Sequence, residues 1–297
     1  MITRRQACLG IVFTVSAAPR LSGPARAAGP RGLADLPAAF ARIETAARAR
    51  LGVTVVDTGT GAGAAYRGDE RFPLCSTFKA LAAAAVLKRV DEGREDLARR
   101  VVYGADDLVT YSPGTERHVG APGLSLAEIA EAAVTLSDNT AGNLLLRAVD
   151  GPSGLTAFLR AIGDGTTRLD RWETALNDVA PGDPRDTTTP NAMTASMRKL
   201  VLGDVLSAVS RERLAGWLVA NKTGDARLRA GLPRDWRIGD KTGSGERGTA
   251  NDVAVAWPPG RAPVIVTVYL TDSPAPAEAR NAAIADVGRA VAAALAG

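Results

Sequence analysis

Histidine and cysteine are almost absent from this sequence of 297 residues, which holds one His and two Cys. His118 alone does not make a zinc hydrolase centre, which ordinarily takes two or three imidazoles. A Ser-His-Asp triad would have to use His118, and no Gly-x-Ser-x-Gly elbow accompanies it. His118 is therefore expected to be a packed or hydrogen-bonded structural residue. Acid–base work falls to Lys, Glu, Asp, Ser or Tyr. Aromatics make up only 4%. Ala, Leu and Val must then fill the core, and base-stacking surfaces for nucleic acid are not expected.

The first residues read as an export signal rather than as fold. Arg4 and Arg5 precede an apolar run from Ala7 to Ala18 that is too short to span a membrane. Ala25-Arg26-Ala27 then offers a small-x-small cleavage site. The expected product is exported, to the periplasm or beyond, and Thr3-Arg4-Arg5 is compatible with twin-arginine export. Residues 1–27 contain Arg4, Arg5, Arg20 and Arg26 and no acid, so 32 basic residues balance 32 acidic ones in the remainder. That balance gives no reason to expect nucleic acid or an anionic membrane as partner. With Cys8 in the signal, Cys75 stands alone and is expected to be a small buried apolar residue.

Periodicity and turn residues predict a helix over 35–50 capped by Asp35, then strands over 51–57 and near 64–67. A helical middle follows: 76–91, 125–136 with Ser125 and Glu128 as a capping box, 140–149, 153–162, 194–202 and 210–220. Residues 163–189 are irregular, a length that is usually functional in a compact domain. The end returns to strands at 236–241, 251–257 and 263–271, and a last helix covers 277–295. The expected fold is α/β of the α+β type. An antiparallel sheet flanked by helices is built from both termini (28–67 plus 219–297), with an all-helical lobe (68–218) inserted. The cleft between lobes is the expected small-molecule site.

Two short motifs occur twice. Ser76-Thr-Phe-Lys79 sets a hydroxyl and an amine on one helix face, with helix-start N–H groups beside a developing oxyanion. Ser196-Met-Arg-Lys199 repeats the pattern inside what reads as a surface helix. Lys241-Thr242-Gly243 closes a strand-like run, where a substrate amide can lie along the edge. Lys222-Thr223-Gly224 follows a helix and reads as its C-terminal turn. Ser137-Asp138-Asn139 alone is a good N-cap. Taken in order, Ser76-x-x-Lys79, Ser137-Asp138-Asn139 and Lys241-Thr242-Gly243 form the set found in class A β-lactamases and penicillin-binding proteins.

Over nearly all of residues 28–297 the sequence resembles the class A serine β-lactamases. Arg71-Phe-Pro-Leu-Cys-Ser-Thr-Phe-Lys79 matches the nucleophile block, Tyr111-Ser-Pro the aromatic at the cleft mouth, and 168–186 the Ω-loop. The resemblance implies hydrolysis of penicillins and cephalosporins, conferring resistance, with no metal and no cofactor; a monomer is the default expectation. It makes Ser76 the nucleophile and Glu173 the base for the deacylating water, which Asn177 helps to hold. Lys79, or Glu173 through a water, takes the Ser76 proton. The N–H groups of Ser76 and Ser244 form the oxyanion hole. Ser137 relays a proton to the leaving nitrogen beside Lys241, and Asn139 positions the substrate's side-chain amide. Thr242, Gly243 and Ser244 line the strand against which the substrate and its carboxylate lie. Glu173 separates hydrolases from penicillin-binding proteins, which remain acylated, and the intact set of polar residues argues against a non-catalytic binding module on the same fold.

The sequence departs from the family at three points. An Arg commonly found seven residues after the Gly of Lys-Thr-Gly is replaced by Ala250, and Arg227 is expected to supply that guanidinium. Thr174 stands after Glu173 where Pro is common, so the loop relies on the pairs Arg168–Asp170 and Arg171–Asp186. Carbapenem-hydrolysing members pair a Cys at position 75 with one at the position held here by Gly245, so efficient carbapenem turnover is not expected.

Overall fold

The computed structural model describes residues 32–178 and 180–296; the expected export signal with Cys8 lies outside the described residues. The strands are β1 (Arg50–Asp57), β2 (Gly63–Tyr66), β3 (Phe72–Pro73), β4 (Arg100–Val101), β5 (Leu124–Ser125), β6 (Thr187–Thr188), β7 (Arg237–Gly245), β8 (Thr249–Trp257) and β9 (Val264–Thr271). The helices are α1 (Leu36–Ala47), α2 (Phe78–Asp91), α3 (Leu126–Thr135), α4 (Asn139–Ala148), α5 (Gly151–Ala161), α6 (Pro190–Met197), α7 (Ala208–Val219), α8 (Leu228–Gly231) and α9 (Ala277–Leu295). The main sheet is antiparallel, in the order β2-β1-β9-β8-β7. Both ends of the chain thus build one sheet; helices α2 to α7 share a core on one side of it, while Leu228 of α8 joins the core of α1 and α9 on the other.

Both faces of the sheet are covered. Val264, Val266, Val268 and Leu270 of β9 join a core with Leu36 and Phe40 of α1 and Ile284, Val287 and Val291 of α9. The alternate residues Ile265 and Tyr269 face the helical lobe. Burial on both sides is why β9 reads as a largely apolar run, interrupted at Thr267, rather than an alternating one. Gly52 is dictated by this packing, because a Cβ there would lie 2.4 Å from a Phe72 ring carbon.

In the helical lobe, α2 is buried on every side from Phe78 to Leu87. Its alanines at 80 and 82–85 let neighbouring helices approach closely, which suits a sequence poor in aromatics. Such a helix cannot be shifted without opening the core. It therefore fixes Lys79, one of its few polar residues.

Several expectations change. Asp35 stands at the N-cap position, but a short 3₁₀ turn already occupies 33–35 and its side chain makes no cap bond. Ser76 sits in a 3₁₀ turn, Cys75–Thr77, just ahead of α2 rather than in its first turn. Lys241 lies mid-strand, since β7 runs on to Gly245. The segment 194–202 divides into the end of α6 and a π turn over 198–202. His118 is exposed in a loop rather than packed. The capping box of Ser125 and Glu128 on α3 is present as expected.

Candidate active site

A cleft of ≈ 350 Å³ is lined by Ser76, Tyr111, Ser137, Asn139, Asn177, Thr223, Arg227, Thr242, Gly243 and Ser244. Nine of these ten are among the residues expected from sequence; Thr223 is not. Lys79, Glu173 and Lys241 lie just behind the lining and are buried.

Each wall is held by a local device. Asn251 of β8 donates its Nδ2 protons to the carbonyls of Pro73 and Leu74 (2.8 and 3.2 Å), fixing the chain that enters the Ser76 turn. Asp138 caps α4 through the Ala141 N–H and also accepts the N–H groups of Gly114 and Thr115. One carboxylate thus ties the Tyr111 loop to the Ser137–Asn139 corner. Cys75, Tyr111 and Ser137 all have positive φ (44°, 66° and 59°) without being glycine. Strained backbone of this kind persists only where surrounding packing enforces it, and it concentrates at functional sites.

The polar centre is compact. Lys79 Nζ donates to Ser76 Oγ (2.9 Å), the Ser137 carbonyl (2.9 Å) and Asn139 Oδ1 (2.6 Å). It also stands 2.9 Å from Glu173 Oε1. Four oxygens therefore share at most three ammonium protons, so at least one contact is always under-bonded. Ser76 Oγ lies 3.5 Å from the same Glu173 oxygen. Burial lowers the Lys79 pKa from its ordinary value, against the opposing pull of the Glu173 charge. Burial, and then the Lys79 charge, push the Lys241 pKa well below the ordinary range. Lys241 Nζ donates to Ser137 Oγ at 3.0 Å. Ser76–Lys79 and Ser137–Lys241 thereby form two hydroxyl–amine pairs, joined through the Ser137 backbone carbonyl that Lys79 also reaches.

Glu173 enters from the Ω-loop. Asn143 grips its backbone in both directions: Nδ2 donates to the Glu173 carbonyl (3.0 Å), and Oδ1 accepts the Glu173 N–H (2.9 Å). Asn177 Nδ2 donates to Glu173 Oε2 at 2.6 Å. The Glu173–Thr174 bond is cis. Asp186 receives Arg171 Nε at 2.5 Å together with the N–H groups of Asp170 and Arg171, and Arg168 pairs with Asp170. Both expected loop pairs are formed.

Arg227 reaches the cleft from behind β7. It is 9% exposed. It donates to Ser244 Oγ (2.8 Å), to the carbonyls of Gly243 and Asn251, and to Asn281 Oδ1. Asn281 on α9 and Asn143 on α4 were not singled out in the sequence. Asn143 had a signal, since it lies four residues after Asn139 and shares its helix face. Asn281 had none, because only the tertiary fold brings α9 to Arg227.

Cys75 is buried, and burial with the Glu173 charge raises its thiol pKa. The second Ser-x-x-Lys copy is not on the surface as expected. Ser196 is buried and donates to Asp164 Oδ2 (2.8 Å), while Lys199 caps the Ile162 carbonyl (2.6 Å).

Comparison with known proteins agrees with this geometry. The sequence profile described as the beta-lactamase enzyme family matches residues 35–295. The chain is 55% identical to "Beta-lactamase AST-1" of Nocardia asteroides over 252 residues, covering 85% of this chain and 81% of that one. It is 51% identical to the "Carbapenem-hydrolyzing beta-lactamase KPC" of Klebsiella oxytoca over 231 residues, 77% of this chain and 78% of the other. Among solved structures, "Ancestral (GNCA) Beta-lactamase class A" superposes with a TM-score of 0.85 at 66% identity, covering 86% of this chain and 98% of that chain.

Proposed function

Because the chain belongs to the beta-lactamase enzyme family, among its class A serine members, we propose that it hydrolyses β-lactam antibiotics through an acyl-enzyme on Ser76. The observation that carries this reading is the convergence of Ser76 Oγ, Lys79 Nζ and Glu173 Oε1 within 2.9–3.5 Å at the base of the cleft.

Ser76 Oγ attacks the lactam carbonyl as its proton leaves to Lys79 directly or to Glu173 through a water. Burial favours an uncharged Lys79 amine, which supports the first route. The N–H groups of Ser76 and Ser244 receive the oxyanion, each worth ~3–4 kcal/mol in a preorganised site. The Ser137 hydroxyl hands a proton to the departing nitrogen and takes one from Lys241 Nζ, 3.0 Å away. Asn139 and Tyr111 hold the side-chain end of the substrate. Thr242, Ser244 and Arg227 hold its carboxylate, with Lys241 adding positive charge.

Deacylation falls to Glu173 and a water. Asn177 gives its N–H to Glu173 and keeps Oδ1, which has no protein partner, as an acceptor for a water proton. Without this base an acylated serine persists, the behaviour of a penicillin-binding protein. Mixing the enzyme with a hundredfold excess of nitrocefin distinguishes the two: complete conversion is expected, and a burst of one equivalent would overturn the hydrolase reading.

Penicillins and cephalosporins are the proposed substrates. With Gly245 at the position of the second cysteine, the cysteine pairing of carbapenem-hydrolysing members is impossible, so weak carbapenem turnover is proposed despite the likeness to a carbapenem-hydrolysing relative. The N-terminal pattern supports export, a monomer is proposed, and no helix among the described residues is long and apolar enough to cross a membrane.

A further inference from the structure

The second Lys-Thr-Gly, at 222–224, is built into the cleft. The Lys222 N–H donates to the Thr135 carbonyl at 2.9 Å, tying the segment to α3. Gly224 lies so close to β7 that a Cβ would come within 2.0 Å of Asp240 Oδ2. Between them, the Thr223 hydroxyl meets the Thr242 hydroxyl at 2.5 Å. We propose that Thr223 is a positioning residue that turns the Thr242 hydroxyl toward the substrate's carboxylate. The inference rests on the reading of Thr242 as a carboxylate ligand.

Proton counting carries the argument. The Thr223 backbone N–H donates to Asn221 Oδ1 at 3.1 Å. A backbone N–H only donates, so this contact fixes which end of the Asn221 amide faces Thr223. The other end, Nδ2, donates to Asp240 Oδ2 at 2.6 Å. The Thr223 hydroxyl therefore has two acceptors in reach, Asn221 Oδ1 at 2.9 Å and Thr242 Oγ1. It holds one proton. Both contacts are hydrogen bonds only if protons run from Thr242 to Thr223 to Asn221.

A carboxylate accepts and never donates. To bind it, Thr242 must turn its own proton into the cleft. Its contact with Thr223 remains a hydrogen bond only if Thr223 then turns its proton from Asn221 to Thr242. Asn221 Oδ1 keeps the Thr223 N–H and is not orphaned. Substrate thus reverses a two-hydroxyl relay, and an oxygen that accepts one hydrogen bond donates a stronger one.

The test compares benzylpenicillin with its methyl ester, which lacks the charged carboxylate. Thr223→Val is expected to lower kcat/KM for benzylpenicillin about fivefold to tenfold, mainly through KM, as one lost hydrogen bond should. The ester should be unaffected, and Thr223→Ser should restore the wild-type ratio between the two substrates. Equal losses on both substrates would mean a merely structural role. That result, no loss on either, or failure of Thr223→Ser to restore the ratio would each overturn the proposal. If Thr223→Val does not accumulate as folded protein, Thr223→Ala carries the same expectations. Thr242→Val tests the underlying reading separately: if it spares benzylpenicillin, Thr242 does not bind the carboxylate at all.

Discussion

The two Ser-x-x-Lys copies share a tetrapeptide pattern and differ in everything around it. Ser76 and Lys79 point at each other across 2.9 Å, with Glu173 closing the group. Ser196 points at Asp164 and Lys199 at the Ile162 carbonyl, so the two side chains serve separate partners. In the first copy one nitrogen faces more acceptors than it has protons to satisfy. In the second, each group has a partner that holds it in place. Proton mobility comes from the unsaturated arrangement and rigidity from the saturated one. The two Lys-Thr-Gly copies differ in another way, since both reach the cleft and Thr223 of the off-strand copy meets the Thr242 hydroxyl of the strand copy.

Breaking each copy should give opposite phenotypes. Ser76→Ala is expected to lower kcat about 10⁶-fold, as loss of a nucleophile does in other serine hydrolases, with little change in stability. Ser196→Ala should leave the steady-state constants unchanged. Next in size is Arg227→Ala, expected to lower kcat/KM for benzylpenicillin about 10–100-fold, chiefly through KM, because it removes a charge-assisted contact to the carboxylate. An unchanged KM would remove Arg227 from that role.

Smaller again is the stability cost of the second copy. Ser196→Ala removes a donor from the buried Asp164 and should destabilise the fold by about 1–2 kcal/mol in urea unfolding. Ser76→Ala, measured alongside, should cost less. The smallest effect concerns pH. Lys241 is charged below its pKa, and that pKa is depressed, so kcat/KM should begin to fall at lower alkaline pH than an ordinary lysine would give. Arginine keeps its charge throughout this range. Lys241→Arg should therefore shift the alkaline limb of the kcat/KM profile to higher pH. An unmoved limb would mean that another group sets it.

Much of this was legible in the sequence because it is local. The capping box at Ser125, the strand at 51–57, the last helix and the order of Ser76, Ser137, Glu173 and Lys241 are matters of spacing. The scarcity of His did as much as any motif, since it left acid–base work to Lys, Glu, Asp, Ser or Tyr. What was not legible depends on contacts between distant segments. Ser196 looked like a surface residue because nothing nearby in the chain reveals Asp164, 32 residues away. Thr223 looked like a helix end because its partner is on β7. His118 was assigned a packed or hydrogen-bonded role because it had no catalytic or metal partners, and that absence says nothing about exposure. The strained φ values at Cys75, Tyr111 and Ser137 fall on residue types that give no warning of them.

The account stands most directly on the site of acylation. Glu173→Ala, mixed with benzylpenicillin and examined by intact-mass and peptide-mapping mass spectrometry, should carry one stable penicilloyl adduct on the peptide containing Ser76. An unmodified Ser76 peptide, an adduct on the Ser196 peptide, or Glu173→Ala turnover at the wild-type rate with no adduct would contradict it.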